Sequence, residues 1–265
     1  MWFAQRGVRD APAWWRPHPL LLRSRPMPTP EQTSGALAIL IDADNANPAI
    51  VKGLIAEVAK LGRATVRRIY GDWTSPNLSS WKAVLLEHSI QPMQQFAYTK
   101  GKNATDSSMI IDAMDLLFAG NLDGFCLVSS DSDFTRLASR LKESGKTVYG
   151  FGEKKTPKPF VAACDRFIYT EVFTQVEGQA APHRKAASEL DGDKDFIDLV
   201  GGVVDDAADD SGWAHLGEVG SILTKKKPDF DSRNYGYSRL SSLLEASKHF
   251  EVRRQDKAIG VRRAK

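Results

Sequence analysis

Leu37-Ala38-Ile39-Leu40-Ile41-Asp42-Ala43-Asp44-Asn45 is the stretch on which the reading of the fold turns. Five apolar residues in succession read as a strand buried on both faces, and such strands belong to parallel sheets. The run passes straight into Asp42, so this carboxylate stands at the strand's carboxyl end, where open α/β sheets place their ligands. Further short apolar runs predict strands over residues 65–70, 89–95, 125–129, 147–151 and 166–169. Between them, apolar residues at three- and four-residue spacing predict helices over 49–61, 78–87, 106–119 and 133–143. Strand and helix in alternation give an α/β domain with a parallel sheet and flanking helices, over residues 35–174.

Outward from this core the character of the chain changes twice. Residues 1–34 mix Trp, Arg and Pro without period and are expected to be a disordered extension, with Met27 as a candidate alternative start. Residues 175–192, rich in Gln, Ala, Gly and charge, read as a linker. Beyond them, 193–265 is expected to form a small winged-helix domain: helices over 196–204, 216–223 and 237–246, then strands over 250–253 and 259–262.

A length of 265 residues accommodates two such units plus tails, and 42% hydrophobic with 26% charged residues excludes a wholly disordered or fibrous chain. The net charge of +3 decides little, but its distribution is informative, since acidic residues gather in the first domain's motifs and Lys and Arg crowd the last third. Cys126 and Cys164 are the only cysteines; Cys126, inside an apolar run, reads as a small buried thiol in a reducing compartment. No apolar stretch approaches the roughly 20 residues that span a bilayer, so the expected location is cytoplasmic, with no membrane partner.

The fourth expected strand delivers Ser129-Ser130-Asp131-Ser132-Asp133-Phe134 to the same sheet edge, just ahead of a helix. A lone Asp at such a position is usually a helix cap, because unpaired backbone N–H groups favour negative charge there. Two acidic turns after two buried strands argue for more. Asp106 adds a third contribution, opening an otherwise apolar helix. Clustered carboxylates raise one another's pKa unless a cation neutralises them. All-oxygen sites of this kind suit Mg²⁺ or Mn²⁺, which also bind phosphates. No Ser-His-Asp or Cys-His set is evident, so hydrolysis by a metal-activated water is the economical mechanism.

The run Ile39 to Asn45, the segment Lys100-Gly-Lys102 with Asp106 and Asp112, and the run Ser129 to Phe134 together resemble the NYN domain, a PIN-like nuclease fold, over about residues 36–173. The resemblance implies Mg²⁺- or Mn²⁺-dependent cleavage of RNA, with Asp42, Asp106, Asp131 and Asp133 as catalytic metal ligands, direct or through water. Asn45 would orient Asp42 or the substrate, and Lys100, Lys102, Ser129 and Ser130 would meet the substrate. Ser130 departs from the family motif, which usually has Gly there. Asp112 lies about 240° around the helix from Asp106, which makes it structural or a support to the ligands. Asp44 reads as a turn residue. Trp73 reads as packing or as a base-stacking platform, and Lys154, Lys155 and Lys158 as a basic loop for an RNA backbone.

Gly212 to Gly220, Leu223 to Phe230 and Tyr235 to Leu240 resemble an OST-HTH, or LOTUS, domain, a family associated with RNA or protein partners. Lys225, Lys226, Lys227, Arg233 and Arg239, with Arg253, Arg254, Arg262 and Arg263 on the expected wing, supply a phosphate-facing surface. The sequence therefore predicts a metal-dependent ribonuclease tethered to an RNA- or partner-binding module. Two rivals remain in view: a non-catalytic RNA-binding adaptor, and a phosphatase of the haloacid-dehalogenase type, which the Ala46 position disfavours.

Overall fold

β1 (Ala36–Asp42) is the central strand because six of its seven residues avoid water. It lies between β2 (Arg63–Gly71) and β4 (Gly124–Val128) in a six-stranded sheet ordered β3-β2-β1-β4-β5-β6. Every pairing in it is parallel, and β3 (Gln91–Gln94), β5 (Thr147–Gly152) and β6 (Arg166–Tyr169) complete it. The structure, a computed structural model, describes residues 35–96, 104–174, 184–255 and 258–264. The extension expected over 1–34, Lys100, Lys102 and the first half of the expected linker lie outside the described residues.

Alternation along β1 sorts its side chains between two cores. Ala38 and Leu40 join Phe125 and Leu127 of β4 beneath α3 (Ala104–Ala119), α4 (Thr135–Glu143) and α5 (Lys158–Ala163). Leu37, Ile39 and Ile41 face the other way, with Cys126 and Val128, against α1 (Val51–Leu61) and α2 (Trp81–Glu87). Both cysteines are buried and free. Strand order runs outward from β1 in one direction and from β4 in the other, so the crevice between their carboxyl ends is the switch point of the sheet.

Residues 194–263 build a third core under α7 (Lys194–Asp206), α8 (Leu216–Lys226) and α9 (Leu240–Glu245), with an antiparallel sheet ordered β7-β9-β8. β8 (Phe250–Gln255) and β9 (Ala258–Arg263) are the expected hairpin, and β7 (Ala214–His215) adds a two-residue strand to it. α9 starts later than expected because Ser232–Tyr235 form a 3-10 turn closed by Gly236 at φ 83, a conformation glycine adopts without strain. Two helices were not expected. α5 follows Pro157 and is opened by Lys158, which therefore leaves the predicted basic loop. α6 (Ala187–Gly192) occupies the second half of the stretch read as linker, where Leu190 is fully buried and contributes roughly 2 kcal/mol of apolar burial. The described residues fall within one compact unit. No helix among the described residues is long and apolar enough to cross a membrane.

Candidate metal centre

The register of β1 on β4 pairs Ile41 with Val128, which brings Asp42 and Ser129 side by side where the strands end. The Ser129 hydroxyl donates to Asp42 Oδ2 at 2.8 Å and accepts the Asp131 N–H at 3.0 Å, coupling the two acidic turns through one oxygen. Asn45 Nδ2 donates to the same Asp42 oxygen at 2.8 Å and the Asp44 N–H donates to Oδ1 at 3.0 Å. Three donors occupy three of about four lone-pair positions of this buried carboxylate. Burial pushes its pKa up against those hydrogen bonds.

Across the crevice, Asp106 projects from the first turn of α3, buried and close to four other carboxylates. Its pKa is pushed up to about 6, by burial first and then by the charges of Asp42, Asp131, Asp133 and Asp44. Oxygens of Asp106, Asp131 and Asp133 lie within 4.8 Å of one another, a spacing one cation can bridge. Asp131 also caps the 3-10 turn Ser132–Phe134, accepting the Asp133 N–H on Oδ1 at 2.9 Å. Cap and candidate ligand are thus the same residue. Gly152, at the end of β5, permits the close packing behind this turn, since a Cβ there would stand 2.6 Å from the Ser129 carbonyl.

Three of the four expected ligands, Asp106, Asp131 and Asp133, are brought together. Asp42 is not one of the three whose oxygens converge; it stands behind them, held by Ser129 and Asn45. Ser129 and Ser130, expected to face substrate, are buried, and the Ser130 hydroxyl accepts the Glu153 N–H at 2.9 Å. Asp112 is drawn away from Asp106 to β2, where Arg68 Nη1 lies 2.5 Å from it and the Tyr70 hydroxyl donates to it. Asp44 is an exposed turn residue that accepts the Thr105 hydroxyl at 3.1 Å. Trp73 packs on the second core and donates its Nε1–H to the Met93 carbonyl at 3.0 Å. The role of Ser129 as a bridge was not foreseen; the signal was its place directly after a fully buried strand, where a hydroxyl needs partners.

One residue of the expected basic surface in the C-terminal region is corrected. Arg233 is not phosphate-facing: Nη1 and Nη2 grip both oxygens of Glu57 on α1 at 3.0 and 3.1 Å, and Nη2 reaches Asp231 at 2.6 Å. Arg166 lies 3.6 Å from both acids. The junction continues with the Phe167 N–H donating to the Pro228 carbonyl at 2.8 Å and the Tyr169 hydroxyl to Asp229 at 2.9 Å. Burial would raise the pKa of Glu57 and Asp231, yet the facing guanidinium, with Lys60 for Glu57 and Arg166 for Asp231, holds both below the usual carboxylate value. Glu57 was the missed clue, a charge on the apolar stripe of Val51, Leu54 and Val58. Lys226 pairs with Asp206, Arg254 with Glu245, Arg262 with Glu251 and Arg263 with Asp205, while Arg253 stacks 4.2 Å over Trp213. Lys225, Lys227 and Arg239 are exposed.

Residues 36–171 match the NYN domain and residues 193–261 the OST-HTH/LOTUS domain. Among solved structures, a protein of unknown function from Vibrio parahaemolyticus is 21% identical over 52% of this chain and 94% of that one, with a TM-score of 0.43. An uncharacterized protein from Nitrosomonas europaea is 32% identical over 34% of this chain and 86% of that one, with a TM-score of 0.26. No curated protein matches the chain. With more than half its length matched and a PIN-like parallel sheet beneath the match, the chain belongs to the NYN domain family and carries an OST-HTH/LOTUS domain behind it.

Proposed function

We propose that the chain is a ribonuclease dependent on Mg²⁺ or Mn²⁺, with residues 35–174 as its nuclease domain and 193–265 as an RNA-binding domain. One observation carries the reading: carboxylate oxygens of Asp106, Asp131 and Asp133 converge within 4.8 Å of one another at the switch point of the sheet. A set of carboxylate oxygens fits a hard divalent cation, and the pKa of Asp106, raised by burial and by the charges of the neighbouring carboxylates, marks a place where a cation is favourable. Asp106, Asp131 and Asp133 would hold the ion, with Asp42 joining through its remaining lone pair or through water. When bound, such an ion supplies Lewis acidity toward a scissile phosphate and makes a neighbouring water easier to deprotonate.

The chain's own groups do the positioning. Ser129 and Asn45 fix the Asp42 carboxylate, the Asp131 cap fixes the turn that carries Asp133, and α3 presents Asp106 from its first turn. Lys100 and Lys102 precede Asp106 in sequence and are proposed to meet substrate phosphates. Labelled single-stranded RNA incubated with Mn²⁺, with Mg²⁺ or with a chelator tests the reading. Cleavage should require the ion and vanish in Asp131→Asn. RNA binding without cleavage under every ion would make the protein an adaptor instead.

A further inference from the structure

The docking of the two domains opens a cleft of about 290 Å³ that neither domain forms alone. Lys154 enters it from the loop after β5 and Tyr169 from the last position of β6. The C-terminal domain contributes Lys227 at the end of α8 and Asn234 and Tyr235 from the 3-10 turn. Lys185, from the segment ahead of α6, closes the cleft. Three ammonium groups thus face one lining carboxylate, Asp229, which is engaged by the Tyr169 hydroxyl. Lys185 is paired with Asp193 at 2.9 Å and lies 5.0 Å over the Tyr235 ring. The side chains of Lys154 and Lys227 have no ion pair among the described residues, and although Asp193 lies close enough to act on Lys227, the lining itself carries two more lysines than carboxylates. Asn234 Nδ2 donates to the Asp229 carbonyl at 3.0 Å, which fixes this wall of the cleft.

Position gives this charge a direction. Lys154 and Tyr169 stand at the carboxyl ends of β5 and β6, the same sheet edge as the acidic group after β4. From β4 to β6 is two inter-strand steps, on the order of 10 Å. We propose that this cleft is a phosphate-binding subsite that grips the RNA strand on its way to the acidic edge, and that it exists only while the domains are docked. The proposal rests on the ribonuclease reading for its substrate. A single-stranded polyanion suits the cleft: phosphates meet Lys154 and Lys227, and the rings of Tyr169 and Tyr235 line the path.

The test is equilibrium binding of short labelled single-stranded RNA to the full chain in chelator, across a salt series. Because no divalent ion is present, an inactive protein still gives this readout, so failure of the ribonuclease reading is seen separately in cleavage assays. The double variant Lys154→Ala/Lys227→Ala should bind about 10-fold or more weakly and with a log-log salt slope shallower by about 1.4, two single-strand contacts at roughly 0.7 each. Arg233→Ala removes the guanidinium that bridges Glu57 and Asp231 across the junction, so it should weaken binding by itself and add little in the double-lysine background, as coupled sites do. An unchanged slope in the double variant overturns the proposal. So does full additivity with Arg233→Ala, or displacement of the RNA by polyglutamate as readily as by unlabelled RNA, which would mark a generic anion surface or a docking place for an acidic protein.

Discussion

The acidic edge and the domain junction both draw carboxylates out of water, the first on the turns after β1 and β4 and at the start of α3, the second between α1 and the turn ahead of α9. At the junction each acid meets a guanidinium: Arg233 grips Glu57 and Asp231, Arg166 stands beside both, and their pKa values fall. At the edge Asp42 meets the uncharged donors of Ser129, Asn45 and the Asp44 backbone, Asp106 meets neighbouring carboxylates, and the pKa values of both rise. Burial acts in the same sense in both places; the presence of a fixed cation decides the outcome. A fold that neutralises its carboxylates internally has used them for architecture. One that crowds them against one another makes a place where binding a cation is favourable.

The contrast breaks first at its strongest point. Asp106→Asn should reduce ion-dependent RNA cleavage by more than the 10–100-fold that loss of a mere supporting partner costs a metal site, with the fold preserved by circular dichroism. Cleavage within a few-fold of the parent would move Asp106 out of the centre. At the junction, Arg233→Ala should instead leave Glu57 buried beside only Arg166 and Lys60 and cost about 3 kcal/mol in denaturant unfolding. A loss below about 1 kcal/mol would show that the junction is not what holds the domains.

These two regions were unequally legible. The acidic edge is written locally: a buried strand followed by Asp42, another followed by Asp131 and Asp133, and Asp106 opening an apolar helix can each be read within a few residues. What joins them was not, since Ser129 looks like any small polar residue until strand register sets it against Asp42. The junction was misread because its partners are 176 residues apart in sequence. An arginine ahead of a recognition-like helix reads the same whether it faces phosphate or carboxylate. Asp112 was pulled away by Arg68 and Tyr70 on a strand the helix pattern does not reveal. α6 escaped notice because one buried leucine, Leu190, is too little periodicity to show through a polar stretch.

Ser129→Ala sharpens the contrast more gently. It removes the uncharged bridge between Asp42 and the Asp131 backbone while leaving every carboxylate in place, so activity should fall about 10-fold through looser positioning. Ion affinity and cleavage should weaken together. Conversely, Ser129→Thr should restore much of the loss if the hydroxyl is what matters.

The smallest effect separates the two regions by the sign of their pH dependence. Asp106 titrates near 6 in the folded chain against an ordinary 3.8, so between those values the folded state holds more protons than the unfolded one. Its ionisation therefore destabilises the ion-free protein as pH rises through that window, and the penalty is complete above about pH 6. Glu57 and Asp231 behave oppositely: their folded pKa values are lowered, so their contribution is present above the ordinary carboxylate range and is lost only as pH falls below it. In chelator at about pH 7.5, Asp106→Asn should thus melt higher than the parent by roughly 2–4 °C, the equivalent of about 1 kcal/mol after solvent screening. Near pH 4 the difference should close, because the parent is then protonated at Asp106 as well. Saturating Mn²⁺ at about pH 7.5 should reverse the order, since only the parent keeps the full set of oxygens to gain from it. A variant that melts below the parent in chelator would mean that Asp106 is held by an internal partner, and the acidic edge would then belong with the junction as architecture.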